Sequence, residues 1–181
     1  MTFRSSCSRS FTRAIIPSVF ARALALLSLL AAIVTSSEAA PAAPGFKISL
    51  LDGKTSLDSR ELIGKTVLVL RFQASWCRPC VRESQALAQL AERYRGRGIE
   101  VLAIHVQDAP ADVQRFVAEH RVPYKVALDP RLSVGNRFGF RGTPYTVVVD
   151  LRGEMVARIH GESALTRLPR ILDGLLAKNA K

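Results

Sequence analysis

Apolar and polar positions along this chain fall into two alternating periods. The run Thr66-Val67-Leu68-Val69-Leu70-Arg71-Phe72-Gln73-Ala74, rich in branched and aromatic side chains, predicts a β-strand. From Arg78 to about Arg95 the apolar residues Val81, Leu87, Leu90, Ala91 and Tyr94 recur at helical spacing, and Gly96 and Gly98 end the pattern. Residues 99–106 are almost continuously apolar, as a central parallel strand covered on both faces requires. Residues 112–120 predict an amphipathic helix, 124–128 a short strand and 130–138 a short helix. Two hairpins bracket this middle. Residues 46–50 and 54–57 flank Asp52-Gly53, a two-residue turn signal, and residues 145–150 and 154–159 straddle Leu151-Arg152-Gly153. Residues 58–62 read as a helical turn closed by Gly64. Residues 163–176 read as a closing helix with Ser163 as N-cap, which Pro169 is expected to kink or split. The order ββ, β-α-β-α-β-α, ββ, α predicts an α/β fold: a central mixed sheet flanked by helices, with an N-terminal β-hairpin extension. No internal repeat and no second domain is visible.

The front of the chain departs from this pattern. Arg4, Arg9, Arg13 and Arg22 precede the apolar stretch Ala23 to Val34, and Ser37-Glu38-Ala39 offers small residues for cleavage. That is the plan of a secretory signal. The uninterrupted apolar core is shorter than the roughly 20 residues of a spanning helix. Counting back to Ala14 lengthens it only by including Pro17 and Arg22, which leaves an uncleaved anchor open. Residues 1–39 are therefore read as a signal peptide or N-terminal membrane anchor, residues 40–45 as a linker and residues 46–181 as the domain. The expected location is exported and periplasmic, either soluble or anchored to the cytoplasmic membrane. Cleavage would remove Cys7 and leave two cysteines, too few for a disulfide-scaffolded minidomain, so the pair is expected to be used. The whole chain carries a net charge of +11. Its arginines are scattered and no aromatic-interleaved patch occurs, so a solvated basic surface is expected and a nucleic-acid partner is not. Weak attraction to anionic headgroups or an acidic partner is the alternative.

The chemistry concentrates in Trp76-Cys77-Arg78-Pro79-Cys80, where strand passes into helix. Pro79 falls in the first turn, where a missing N–H costs nothing. Cys77 lies at or just before a helix N-terminus, whose unpaired amides and dipole favour an anion. The thiolate is the nucleophile, which makes Cys77 the attacking sulfur and Cys80 the one that closes the disulfide. Arg78, the charged residue between them, should lower the Cys77 pKa further, modestly if exposed.

Ala74-Ser75-Trp76-Cys77-Arg78-Pro79-Cys80, with Glu83, Gly142-Thr143-Pro144 before the strand ending at Asp150, and Gly153, resembles the exported thioredoxin-like proteins of the TlpA/ResA type. The resemblance spans residues 46–176 and implies a thioredoxin-like fold, a redox-active Cys77–Cys80 disulfide as the working group, no separate cofactor and no metal. It implies a cis Thr143–Pro144 peptide opposing the cysteines, with Thr143 pairing to an extended substrate segment. It also implies that Glu83 exchanges a proton with the buried cysteine, because the resolving thiol must be deprotonated to attack; the plain alternative is a surface glutamate. Trp76 would shield the disulfide and contact a partner, or merely pack. The implied partners are protein dithiol or disulfide substrates and a membrane thiol electron donor, and the implied role is reductive, as in cytochrome c maturation or copper-site assembly.

Arg71 departs from the pattern, since thioredoxins proper carry a buried aspartate at this strand position and the TlpA-like proteins often an asparagine. It either pairs with Glu83 beneath the thiols, tuning them, or snorkels outward. Gln73 and Gln85 also depart and bear on substrate preference. His105, His120 and His160 read as packing or surface residues. The competing function is a copper-binding or copper-delivery module, with Met155 and His160 brought to the cysteines as further ligands. A peroxidase is disfavoured because Gln73-Ala74-Ser75-Trp76 replaces the threonine and proline that normally precede a peroxidatic cysteine.

Overall fold

A computed structural model describes residues 40–179; the segment read as a signal peptide or anchor lies outside the described residues. Among the described residues, no helix is long and apolar enough to cross a membrane. The elements in chain order are β1 (Lys47–Ser49), β2 (Ser56–Asp58), β3 (Val67–Gln73), α1 (Arg78–Tyr94), β4 (Ile99–Val106), α2 (Pro110–Glu119), β5 (Lys125–Asp129), β6 (Tyr145–Val149), β7 (Met155–His160) and α3 (Ala164–Asn179). Five strands form one sheet in the order β5-β4-β3-β6-β7. β3, β4 and β5 run parallel, while β6 and β7 join antiparallel. The mixed sheet is what the element order predicted, and the thioredoxin-like fold is what the family resemblance implied.

Side-chain alternation divides the central strands between two cores. Leu68, Leu70 and Phe72 of β3 join Leu102, Ile104, Tyr145 and Val147 on one face, under Phe46, Ile48, Leu57 and Phe138. Val67 and Val69 join Val101 and Val148 on the other, under Leu87, Leu90 and Tyr94 of α1 and Leu168 and Leu172 of α3. Each of these buried side chains contributes about 1.5–3 kcal/mol relative to exposure. Toward the C-terminal end of β3 the second face changes character. Arg71 and Gln73 continue the Val67, Val69 series, and all four are buried. The apolar core thus gives way to buried polar groups beneath the first turns of α1.

Several expectations need correction. Asp52-Gly53 does not close a two-residue hairpin. Ser49 pairs with Ser56, leaving a six-residue loop, because the Asp52 carboxylate accepts the N–H groups of Lys54 and Thr55 and the Thr55 hydroxyl and so builds its own wider turn. Residues 130–138 hold only a 3₁₀ turn, Gly135–Phe138, because the Asp129 carboxylate captures the N–H groups of Ser133, Val134 and Gly135 that would begin an α-helix. Pro169 does not split α3, which is one helix held by the burial of Leu168 and Leu172 and by the Tyr94 hydroxyl, which donates to the Pro169 carbonyl at 3.3 Å. The predicted start of α2 lies two residues late, since Pro110 occupies its first turn. The segment read as a linker is hydrogen-bonded along the β6–β7 hairpin: Ala43 N–H donates to Gly153 and Met155 N–H to Pro41, both at 2.8 Å. The chain then crosses the Phe46 face to the opposite edge, where Leu51 N–H donates to Val126 at 2.8 Å. Both outer strands are thereby partly covered by the chain's own N-terminal segment.

Candidate active site

Cys77 is the N-cap of α1, with extended backbone, and its Sγ accepts the Cys80 N–H at 3.3 Å. Pro79 occupies the first turn, as its fixed φ favours. Cys77 and Cys80 form a disulfide with Cα atoms 5.2 Å apart. Both sulfurs are buried against Ala74. Cys77 sits at the mouth of the helix and Cys80 one turn inside it, and Cys77 is the more exposed of the two. Arg78 is exposed, and among the described residues it makes no ion pair. Trp76 is 60% exposed, so its ring faces solvent rather than packing into the interior. Its indole N–H donates to the Gln107 carbonyl at 3.4 Å.

Arg71 turns inward. Its side chain is 1% exposed; one guanidinium nitrogen pairs with Glu83 and another donates to the Thr146 hydroxyl at 3.0 Å. Burial pulls its pKa down and Glu83 pulls it back up, leaving a cation sealed under the cysteine helix. Glu83 remains 14% exposed and so keeps contact with solvent. The outward-snorkelling alternative is thereby excluded. The Arg71 Nε and the Tyr124 hydroxyl are both buried without a hydrogen-bond partner among the described residues. Burial pushes Tyr124 up to about 12, so that hydroxyl keeps its proton.

A second buried network was not anticipated from the sequence. Gln73, tied to substrate preference above, is buried and meets His105 Nε2 at 2.9 Å. His105 Nδ1 lies 2.9 Å from Asp108 Oδ2. The Asp108 carboxylate in turn accepts the Ser75 N–H at 2.6 Å and the Ser75 hydroxyl at 2.7 Å. Burial holds the His105 pKa below its ordinary value, and Asp108 only partly opposes this. Burial acts to raise the Asp108 pKa, but hydrogen bonds from His105 and Ser75 outweigh it and keep the carboxylate ionised. A neutral His105 that donates Nδ1–H to Asp108 and accepts from the Gln73 amide satisfies every member.

The Thr143–Pro144 peptide is cis. The β3/β6 register sets Phe72 opposite Tyr145, which brings Thr143-Pro144 to the end of β3 from which the cysteine loop departs. Thr143 is half-buried and Pro144 buried. The copper-ligand set is not assembled. Met155 and His160 stand at opposite ends of β7, about 16 Å apart at strand rise, and His160 stacks on Tyr145 at 4.2 Å. Among the described residues, no group of three or more His, Cys, Asp or Glu side chains gathers to hold a metal ion. His120 packs against Phe116 at 4.5 Å, and Gln85 is exposed on α1.

Residues 40–158 match the family described as AhpC/TSA. The chain is 32% identical over 139 residues to the thiol:disulfide interchange protein HelX of Rhodobacter capsulatus, covering 76% of this chain and 77% of that one. It is 33% identical over 118 residues to the thiol-disulfide oxidoreductase ResA of Halalkalibacterium halodurans, covering 65% of each chain. Among solved structures, a putative thioredoxin from Neisseria meningitidis superposes with a TM-score of 0.69 at 26% identity, covering 78% of this chain and 93% of that one.

Proposed function

From a chain that belongs to the AhpC/TSA family, and within it to the ResA-like thiol-disulfide oxidoreductases, we infer a reductant of protein disulfides that works outside the cytoplasm. The observation that carries this reading is the placement of Cys77 as N-cap, its sulfur on the Cys80 amide, with Glu83 of the Arg71–Glu83 pair one helical turn after Cys80.

In the reduced protein the Cys77 thiolate attacks one sulfur of a substrate disulfide. A Cys77–substrate disulfide forms and the other substrate sulfur leaves as a thiolate. Cys80 then gives its proton to the Glu83 carboxylate, attacks Cys77 Sγ and expels the second substrate sulfur, closing the Cys77–Cys80 disulfide. Two electrons pass to the substrate, and an external dithiol returns them. Trp76 offers an apolar ring to the bound segment, and the Thr143 backbone beside Pro144 pairs with it in extended form. No cofactor beyond the cysteine pair enters these steps.

The TlpA/ResA resemblance supports disulfide-bearing proteins of cytochrome c maturation or copper-site assembly as substrates, and a membrane thiol protein as donor. The charged and apolar pattern of residues 1–39 supports export. The test is to trap partners in cells with Cys80→Ser, which strands substrates on Cys77. Adducts that dissolve under reducing agent and vanish when Cys77 is also replaced by serine support the reading. Absence of cysteine-dependent adducts overturns it.

A further inference from the structure

The sequence leading into the nucleophile is stitched to the β4–α2 turn by hydrogen bonds at two points. Ser75, two residues before Cys77, gives both its amide and its hydroxyl to the Asp108 carboxylate. Trp76 gives its indole N–H to the carbonyl of Gln107, a residue in the left-handed region at φ 49°. Behind Asp108 stand His105 and then Gln73, so the carboxylate is braced by side chains of β4 and β3. Asp108 and His105 are 1% and 0% exposed at their side chains, which removes water as a competitor for these bonds. A buried carboxylate that takes three donors in fixed directions is a clamp, because losing any one of them leaves charge unsatisfied in a dry site.

We infer that Asp108 is a positioning residue for Cys77: with His105 and Gln73 behind it, its carboxylate fixes the Ser75 backbone and so seats Cys77 at the head of α1, where the sulfur meets the Cys80 amide. The inference rests on the reading of Cys77 as the attacking thiol. A thiolate draws its stabilisation from the free amides and dipole of the first turn only while it stays on the helix axis, and the effect fades within a turn. Releasing Ser75 loosens that seat. The other charged and titratable groups of the neighbourhood are Arg78 and Arg82, which share one surface pocket with Ser75 and Trp76, Asp112, Arg115, Glu119 and His120, which share another with them, and the Arg71–Glu83 pair, and the variants below leave all of them in place.

The sign of one measurement separates positioning from simple charge. Asp108 is an anion near a developing anion. Were its field all that mattered, Asp108→Asn would lower the Cys77 pKa. Loss of the clamp raises it. The thiol of reduced Cys80→Ala protein is titrated through the ultraviolet absorbance of the thiolate, alone and combined with Asp108→Asn, Ser75→Ala or Ser75→Thr. The expected result is an upward shift of about 0.5–1 unit for Asp108→Asn and a smaller one for Ser75→Ala, which keeps its amide donor. Ser75→Thr, which retains the hydroxyl, should restore the Cys80→Ala value. A shift downward, or none in either Asp108→Asn or Ser75→Ala, overturns the inference. If Asp108→Asn does not fold, judged by near-ultraviolet circular dichroism, the Ser75 pair decides alone. A Cys80→Ala parent whose thiol titrates at the ordinary value of about 8.5 would instead refute the assignment of Cys77 as the activated thiol, a different failure.

Discussion

Glu83→Gln tests whether the Arg71–Glu83 pair holds the site together, and the structure sets the size of the effect. Arg71 has a 1% exposed side chain, one partner in Glu83, one in Thr146 and an unpartnered Nε. Breaking a buried pair from one side strands the other charge and costs about 3–5 kcal/mol. Glu83 keeps 14% exposure and glutamine still offers a carbonyl oxygen, so the low end, about 3 kcal/mol, applies. Arg71→Met leaves a partly hydrated carboxylate and an unpaired buried Thr146 hydroxyl, at a cost of about 1–3 kcal/mol. The double variant holds no stranded charge and should lie near the Arg71→Met value, giving a coupling of about 2–3 kcal/mol. That is within the ceiling of about 4 kcal/mol for contacting charges at an effective dielectric constant near 20. The assay is guanidinium unfolding of the oxidised proteins, with the disulfide intact in all four. Since domains carry about 5–15 kcal/mol of stability, each variant should be folded in water. Additivity within about 0.5 kcal/mol would refute the argument, because the pair would then be a neighbourhood rather than an interaction.

Two further outcomes follow from the charges around the cysteines. Burial depresses the His105 pKa, so in the pH range below about 6.5 the unfolded chain takes up a proton that the folded one refuses. His105 thus contributes stability that is complete above that value and is lost as pH falls, by at most about 1.4 kcal/mol per pH unit. His105→Gln should flatten that slope in unfolding measurements between about pH 6.5 and 5, and an unchanged slope would exclude a buried neutral imidazole. Arg78→Gln should raise the Cys77 pKa by a few tenths of a unit in dilute buffer and by nothing measurable in about 1 M salt, where screening acts over about 3 Å. A shift that survives the salt would mean that Arg78 acts through a structured contact.

How much of this was legible before the structure depended on whether the signal was local. The helix at Cys77, the strand before it and the apolar strand of β4 each carry their own periodicity and punctuation, and their boundaries matched closely. The hairpin at Asp52 and the turn after Asp129 did not, because an aspartate carboxylate that collects backbone amides overrides the turn its sequence suggests. Arg71 was readable as an anomaly with two outcomes, a pair with Glu83 or an outward turn, and only the fold chooses the first. Its direction is decided by the strand's face, and its neighbour by the turn of α1 laid over that face. The Gln73, His105, Asp108 and Ser75 chain left a faint signal: two polar residues near the C-terminal ends of largely apolar strands, each followed within three residues by a hydrogen-bonding group. Only the β3/β4 register, which sets Gln73 beside His105, turns that coincidence into contact.

The two networks also account for why the cysteines of one motif can behave differently. Register places them on opposite sides of β3: Arg71 reaches the β6 residue Thr146, while Gln73 reaches the β4 residue His105. On the β6 side lies a carboxylate with residual solvent contact, one helical turn from Cys80, so a proton leaving that thiol has an acceptor that water can then relieve. On the β4 side lies a sealed carboxylate whose donors are already assigned, so it has no capacity to take a proton from Cys77 and can act only through the backbone it holds. In the proposed mechanism the outer thiol relies on helix amides for its acidity, and the inner one on Glu83 as base. A chain with a single buried carboxylate would have to divide these tasks in time. On that proposal they are divided in space, and Arg71, by pairing with Glu83, lets the carboxylate sit partly buried without a second unpaired charge.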